Sequence, residues 1–265
     1  MKPFLKWVGG KQKFVDEILD LFPRNINTYH EPFLGGGSVL LALLSSDIAC
    51  EKYRANDINK HLIRTYTDVR DNVDNVIEEL KKLKNDKELF YVYRTRFNRL
   101  KKDDVFNVET SALFICLNKT CFRGLYREGP NGLNTPYGNY KNPSFFDEDA
   151  LKSISKLIQH VEFTSLSYEA FLTDVDQQDF VYLDPPYAPE TKISFTKYNA
   201  SDFLDHEGFF KFTKTLPRFL MSNSAADMVT NAFPDEQIKI ITCRRSINSK
   251  HPGATAKEVL IQNYK

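Results

Sequence analysis

Apolar residues recur at two different periods along this chain, and the alternation between them implies its architecture. Val73, Val76, Ile77, Leu80 and Leu83 fall on one helical face, as do Leu89, Phe90, Tyr93, Phe97 and Leu100. Steps of three and four residues return a side chain to the same side of a helix. Residues 110–118 suit a third helix. Short unbroken apolar runs instead mark buried strands: Phe180 to Leu183, Phe219 to Met221, Ile238 to Ile241 and Val259 to Ile261. Another strand is expected near Val161-Glu162-Phe163, after a helix begun by Asp147. Near the start, a strand ends around Glu31, a glycine turn follows, and Val39 to Leu44 form a buried helix. Strands alternating with helices imply an α/β fold with a mostly parallel sheet covered on both faces. The last two strands lie too close for a helical crossover, so they are expected to pair as an antiparallel hairpin. From Cys121 to Phe146 the chain is rich in Gly, Asn and Pro, which suits loops or a hairpin.

Three segments on this framework carry chemistry. Asp184-Pro185-Pro186-Tyr187 follows the strand Phe180 to Leu183, at the strand end where open α/β sheets place ligands. The prolines remove two backbone donors and stiffen the turn, leaving carbonyl acceptors. A carboxylate beside a free carbonyl suits both protons of an exocyclic NH2 group, and Tyr187 offers a face for a flat base. The same tetrapeptide alone also suits an ordinary turn closing a strand. The second segment, Glu31-Pro32-Phe33-Leu34-Gly35-Gly36-Gly37-Ser38, joins strand to helix. Its glycines allow close backbone approach to a ligand. It lacks the Gly-Lys-Ser/Thr of a Walker A loop, and Leu40 replaces the third glycine of a dinucleotide fingerprint. A structural glycine turn fits it equally well. Asp57, 22 residues after Gly35, has the spacing of an acid on ribose hydroxyls; it also suits a helix N-cap. The third segment is Phe4-Leu5-Lys6-Trp7-Val8-Gly9-Gly10-Lys11. There Trp7 and Lys11 suit either a ligand or, respectively, ordinary core and a solvated cap.

Charge becomes informative once divided. The net +1 hides 9 basic against 4 acidic side chains in residues 91–141, while residues 1–90 carry 14 of each. Tyr91, Tyr93, Phe97, Phe122, Tyr126, Tyr137 and Tyr140 interleave with these cations. Cations for phosphates among rings for bases form a nucleic-acid footprint, although a solvated helix face accounts for some of it, notably Lys101 and Lys102. Four cysteines, Cys50, Cys116, Cys121 and Cys243, show neither metal spacing nor a secreted framework. With no membrane-length apolar stretch and no secretory h-region, an intracellular, cytoplasmic enzyme is expected.

In this order, the three segments resemble an S-adenosylmethionine-dependent DNA adenine-N6 methyltransferase of the Dam type, in the α group of amino methyltransferases. Asp57 to Asn59, Asp184 to Pro189, Phe195-Thr196-x-Tyr198, Ser222-Asn223, Arg244 to Asn248 and Lys257-Glu258-Val259-Leu260 also fit, so the resemblance spans nearly the whole chain. It implies a Rossmann-like methyltransferase core from residues 1–59 and 146–265, and an inserted helical target-recognition domain over 60–145. It implies S-adenosyl-L-methionine as methyl donor, duplex DNA as substrate, no metal, and no obligatory protein partner. Catalysis is then carried by Asp184, Pro185, Pro186 and Tyr187. The cofactor falls to Trp7, Gly9, Lys11, Glu31, Phe33, Gly35, Gly37, Ser38, Asp57 and Asp184. DNA falls to Lys6, Phe122, Arg123, Leu125, Arg127, Tyr140 and Lys141. Phe122 matches an aromatic that enters the base stack and Arg127 an arginine on guanine. The implied target is GATC, although Arg123 stands where the family usually has Asn. Methylation of cytosine N4 or of protein glutamine shares the catalytic turn but leaves the basic insertion without a purpose. A DNA-binding protein that has lost catalysis would have no need of Gly35, Asp57 and Asp184.

Overall fold

The computed structural model describes residues 1–140, 144–189, 205–244 and 255–265. Lys141, the stretch Phe195 to Tyr198 and residues 245–248 lie outside the described residues. The chain opens with helix α1 (Val15–Leu19), strand β1 (Asn25–Glu31), α2 (Ser38–Leu43) and β2 (Ala49–Asn56). Four helices follow: α3 (Lys60–Asp71), α4 (Val73–Lys81), α5 (Lys87–Lys102) and α6 (Val108–Thr120). A two-stranded ribbon comes next, β3 (Glu128–Gly129) with β4 (Gly132–Leu133). The chain then runs through α7 (Glu148–Leu157), β5 (Val161–Thr164), α8 (Tyr168–Phe171), β6 (Phe180–Leu183), α9 (His206–Thr213) and β7 (Phe219–Ser224). It closes with α10 (Asp227–Thr230), β8 (Gln237–Arg244) and β9 (Thr255–Gln262).

Seven strands form one sheet in the order β5-β2-β1-β6-β7-β9-β8. From β5 to β7 every pairing is parallel, while β9 runs antiparallel to both β7 and β8. The expected hairpin is present, and its returning strand inserts beside β7, so β8 forms the edge. β1 and β6 are neighbours in space but distant in sequence, and the chain leaves them in opposite directions. That is a topological switch point, where the loops after the strands part and leave a crevice. All four residues of β6 and all six of β7 are buried, which is why they read as unbroken apolar runs. Burying one large apolar side chain contributes about 1.5–3 kcal/mol, and Phe180, Tyr182, Phe219 and Phe233 are all buried.

Helices α3 to α6 pack on one another, with α6 central: ten of its thirteen residues are buried. The expected third helix, 110–118, is the inner part of α6. Asp147 caps α7 as expected, accepting from the Ala150 amide at 3.0 Å. Buried Asp68 pins α3 to α6, accepting from Ser111 Oγ at 2.7 Å and Arg64 Nε at 2.9 Å. Lys101 departs from the solvated role expected of it: it is half-buried and paired with Glu128 of β3.

Candidate active site

Three acids stand at the carboxyl ends of adjacent strands: Asp57 after β2, Glu31 ending β1 and Asp184 after β6. Parallel neighbours deliver their ends to one edge, so the order β2-β1-β6 brings these residues together from three regions of sequence. Lys11 supplies the cation. Its ammonium is 2.8 Å from Asp184 Oδ1, donates to the Gly9 carbonyl at 2.6 Å and lies 4.9 Å from the Tyr187 ring centroid. Gly9 adopts φ +80° to make that turn. The Lys11 side chain is 4% exposed and Asp184 20%, so the pair is shielded enough for its charges to interact strongly.

Burial sets the protonation of the acids. Glu31 is pushed up to about 8, chiefly by loss of water, with Asp184 and Asp57 as like charges, against the bond from Tyr29 Oη at 2.8 Å. Asp57 rises to about 6, again from burial, opposed by its bonds to backbone amides. Burial also raises Asp184, while Lys11 pulls it down. A carboxyl raised on folding favours the protonated native state. Its stabilising contribution is therefore complete below the unfolded value and is lost as pH rises through the folded one. For Glu31 that window runs from about 4.5 to about 8. Thermal melts should show wild-type stability falling across it, and Glu31→Gln should flatten the slope; equal slopes would show that Glu31 titrates normally.

The glycine turn fits its surroundings closely. Gly35 has φ +49° and Gly37 φ +66°, a left-handed region that disfavours side chains. A Cβ on Gly35 would lie 2.7 Å from Trp7 Cδ1, and one on Gly37 2.6 Å from Tyr66 Oη. Trp7 therefore lies directly on the turn. Asp57 fastens the turn to β2, accepting from the Gly35 amide at 3.0 Å and the Asn59 amide at 2.9 Å. The helix cap is Asn59, not Asp57: its Oδ1 accepts from the His61 and Leu62 amides at 3.1 Å each. Each Asp57 oxygen keeps acceptor capacity for a further donor. Ser38 opens α2 within 3.7 Å of where a Gly10 Cβ would stand, so the two glycine turns meet. Phe33 is half-buried against Tyr168 and Phe209, with centroids at 5.9 and 5.6 Å.

Glu258 and Asn223 complete the surroundings of the Asp184 to Tyr187 turn, and neither was assigned a role from sequence. Tyr187 Oη donates to Glu258 Oε2 at 2.7 Å, and Asn223 Oδ1 accepts from the Ala188 amide at 3.0 Å. Ser224 Oγ donates to the Ala188 carbonyl at 2.7 Å. Pro185 is buried and Pro186 exposed. The available signal was register: β7 pairs β9 with Ser224 opposite Glu258, which sets both beside the end of β6.

A second cluster unites residues distant in sequence. The Lys6 ammonium lies 3.9 Å from the Tyr140 ring centroid and donates to the Lys119 carbonyl at 3.0 Å. Tyr140 Oη accepts from the Arg123 amide at 2.9 Å, and the Arg123 guanidinium lies 5.2 Å from the Phe122 centroid. Phe122 is 45% exposed, unusual for a residue that gains from burial. Arg123 sits at φ +56°, a conformation Asn tolerates better than Arg. Leu125 is half-buried, and its carbonyl accepts from Thr135 Oγ1 at 2.6 Å. Arg127 Nε donates to Asn134 Oδ1 at 2.7 Å across the β3–β4 ribbon. Arg96 of the basic segment is committed to Glu109 at 2.9 Å. Among the described residues no group of acids, histidines and cysteines is arranged for a metal, and no helix is long and apolar enough to cross a membrane.

The sequence profile of the D12 class N6 adenine-specific DNA methyltransferases matches residues 7–247. The Type II methyltransferase M.MjaIII of Methanocaldococcus jannaschii is 40% identical, over 100% of this chain and 99% of its own length. The Type II methyltransferase M1.LlaDCHI of Lactococcus lactis is 32% identical, over 100% of this chain and 96% of its own. The DNA adenine methylase of Escherichia coli K12 is 32% identical, over 97% of this chain and 92% of its own. The profile runs from Trp7 past the Asp184 to Tyr187 turn, and the alignments with the first two relatives, which cover this whole chain, also take in Lys6 and Glu258. This chain belongs to the D12 class of N6 adenine-specific DNA methyltransferases.

Proposed function

We propose that the protein methylates adenine N6 in duplex DNA at GATC, with S-adenosyl-L-methionine as donor. The observation that carries this reading is the excess of buried acid at the switch point: Asp57, Glu31 and Asp184, of which Asp184 alone is paired with a cation, Lys11, among the described residues. A carboxyl held near 8 by burial favours a cationic ligand, and a diol suits the spare acceptors of Asp57. S-adenosylmethionine carries cations and a ribose diol. Trp7, Gly9, Lys11, Glu31, Phe33, Gly35, Gly37, Ser38 and Asp57 would hold it, and its sulfonium supplies an electrophilic methyl group.

The protein's own part is positional. The target adenine is rotated out of the duplex, at a cost of roughly a few kcal/mol. It stacks on Tyr187, whose tilt is fixed by Glu258. Asp184 and the Pro185 carbonyl accept the two N6 hydrogens, which favours a tetrahedral nitrogen with its lone pair free. Lys11 opposes the effect of burial on Asp184, favouring its ionised form, and aims it. Residues 60–145 form the target-recognition domain: Phe122 enters the stack, Lys6, Arg123, Leu125 and Tyr140 line the DNA, and Lys141 meets phosphate. Analysis of nucleosides from a methylated duplex should give N6-methyldeoxyadenosine. N4-methyldeoxycytidine would overturn the assignment of the base.

Arg127 reads guanine in this account, as a bidentate arginine on O6 and N7. Arg127→Ala should cost about 1–3 kcal/mol on GATC and narrow the gap to duplexes altered at that guanine. Methylation rates on GATC and each single-base variant provide the check. A uniform slowing of every sequence would make Arg127 a phosphate contact instead.

A further inference from the structure

Tyr126 touches both the recognition ribbon and the cofactor turn. Its ring stacks on Trp7 with centroids 5.8 Å apart and planes at 18°. Trp7 in turn lies on Gly35 and Gly36, where an added Cβ would approach it within 2.8 Å. On the other side the Tyr126 hydroxyl donates to Glu128 of β3, whose carboxylate also holds the Lys101 ammonium of α5. Phe114 of α6 backs the ring at 5.2 Å. Arg127 lies between Tyr126 and Glu128 in sequence, so the residue that reads the base is flanked by both members of this hydrogen bond. Within the ribbon Arg127 is held by Asn134, through Nε at 2.7 Å and its carbonyl at 3.0 Å.

We propose that Tyr126 is a positioning residue coupling recognition of the target sequence to cofactor affinity through Trp7. The inference rests on the reading above, in which Arg127 meets guanine and the glycine turn receives the cofactor. Arg127 exchanges Asn134 for a base edge when the ribbon engages its target. The neighbouring Glu128 and Tyr126 then settle, and their hydrogen bond fixes Trp7 on the turn. A half-buried hydrogen bond and a packed ring transmit small displacements because neither yields easily. Coupling of this kind is reciprocal: target DNA tightens cofactor binding, and cofactor tightens target DNA by the same factor.

The test is calorimetric titration of sinefungin, an amine analogue of S-adenosylmethionine with no methyl group to transfer, into the protein alone, with a GATC duplex, and with a duplex altered at the guanine. Wild type should show coupling of about five-fold or more with GATC alone. Tyr126→Phe keeps the stack on Trp7 but loses the bond to Glu128. It should bind cofactor alone as wild type does, yet lose most of the coupling. Glu128→Ala, which leaves both rings in place, should behave alike. Coupling retained at the wild-type factor in both variants overturns the proposal. Wild type that binds both ligands without coupling also overturns it, while the functional reading stands. Wild type that binds no cofactor contradicts the functional reading itself. Trp7 is the single tryptophan, so its emission gives an independent readout: the GATC duplex should change it in wild type and not in Tyr126→Phe.

Discussion

Asp184→Ala is expected to abolish methyl transfer while leaving affinity for DNA and for the cofactor within a modest factor. The carboxylate acts on the exocyclic amine as it becomes tetrahedral, so its contribution is realised in the transition state and not in binding. Removing one preorganised polar group of this kind costs about 10²–10³-fold in kcat. Loss of the acid also strands Lys11, whose buried ammonium then keeps, among the described residues, the Gly9 carbonyl and the Tyr187 ring. Asp184→Asn should retain more activity than the alanine variant, since an amide oxygen still accepts one hydrogen bond. Single-turnover rates measured beside equilibrium binding separate the two effects. Substantial turnover by Asp184→Ala would remove this residue from the mechanism.

Lys11→Met is expected to damage both stability and activity, with opposite dependence on pH. Removing one partner of a buried ion pair costs about 3–5 kcal/mol, and about 2–4 °C in Tm accompanies each kcal/mol in a protein of this size. Without the ammonium, Asp184 rises further above its ordinary value, because burial then loses its largest opponent and only the Tyr187 hydroxyl still pulls the carboxyl down. The variant should therefore be most stable at acid pH and weaken as pH rises through that raised value. Activity requires the ionised carboxylate, so the residual rate should climb with pH over the same interval. Melting curves and rates over a pH series test both arms, and a pH-independent loss of activity would assign Lys11 to cofactor contact alone.

Much of this architecture was legible because its strands are buried on both faces. Phe180 to Leu183 and Phe219 to Met221 have no solvent side, so they read as unbroken apolar runs. The acids at the strand ends were legible for the same reason: Asp57 and Asp184 follow directly on β2 and β6. Helix α3 was harder to see. It buries His61, Thr65 and Asp68 among its apolar residues, and Asp68 is tolerated there only because Arg64 and Ser111 satisfy it. Partners remote in sequence stayed hidden. Lys101 read as solvated since nothing nearby announces Glu128, and Glu258 had no role until the antiparallel return of β9 placed it by Tyr187. The stack of Trp7 on Tyr126 likewise depends on tertiary packing, which periodicity does not encode.

The recognition surface was legible in composition but not in arrangement. An excess of cations among aromatics points to the segment proposed to face DNA, yet Arg96 and Lys101 within it are spent on Glu109 and Glu128. The cluster of Lys6, Phe122, Arg123 and Tyr140 draws its first member from more than a hundred residues earlier in the sequence. Reciprocal bonds of 2.8 and 2.7 Å between the Asn118 side chain of α6 and the Lys6 backbone put it there.

The central claim is that this site moves a methyl group from S-adenosylmethionine to adenine in a specific duplex sequence. The most direct measurement is transfer of labelled methyl from S-adenosylmethionine to duplexes that differ only in GATC. Rapid incorporation into the GATC duplex is predicted, with rates lower by about tenfold or more when one recognised base pair is changed, as a mismatch costs about 1–3 kcal/mol. Equal incorporation into both duplexes, or none into either, would contradict the account.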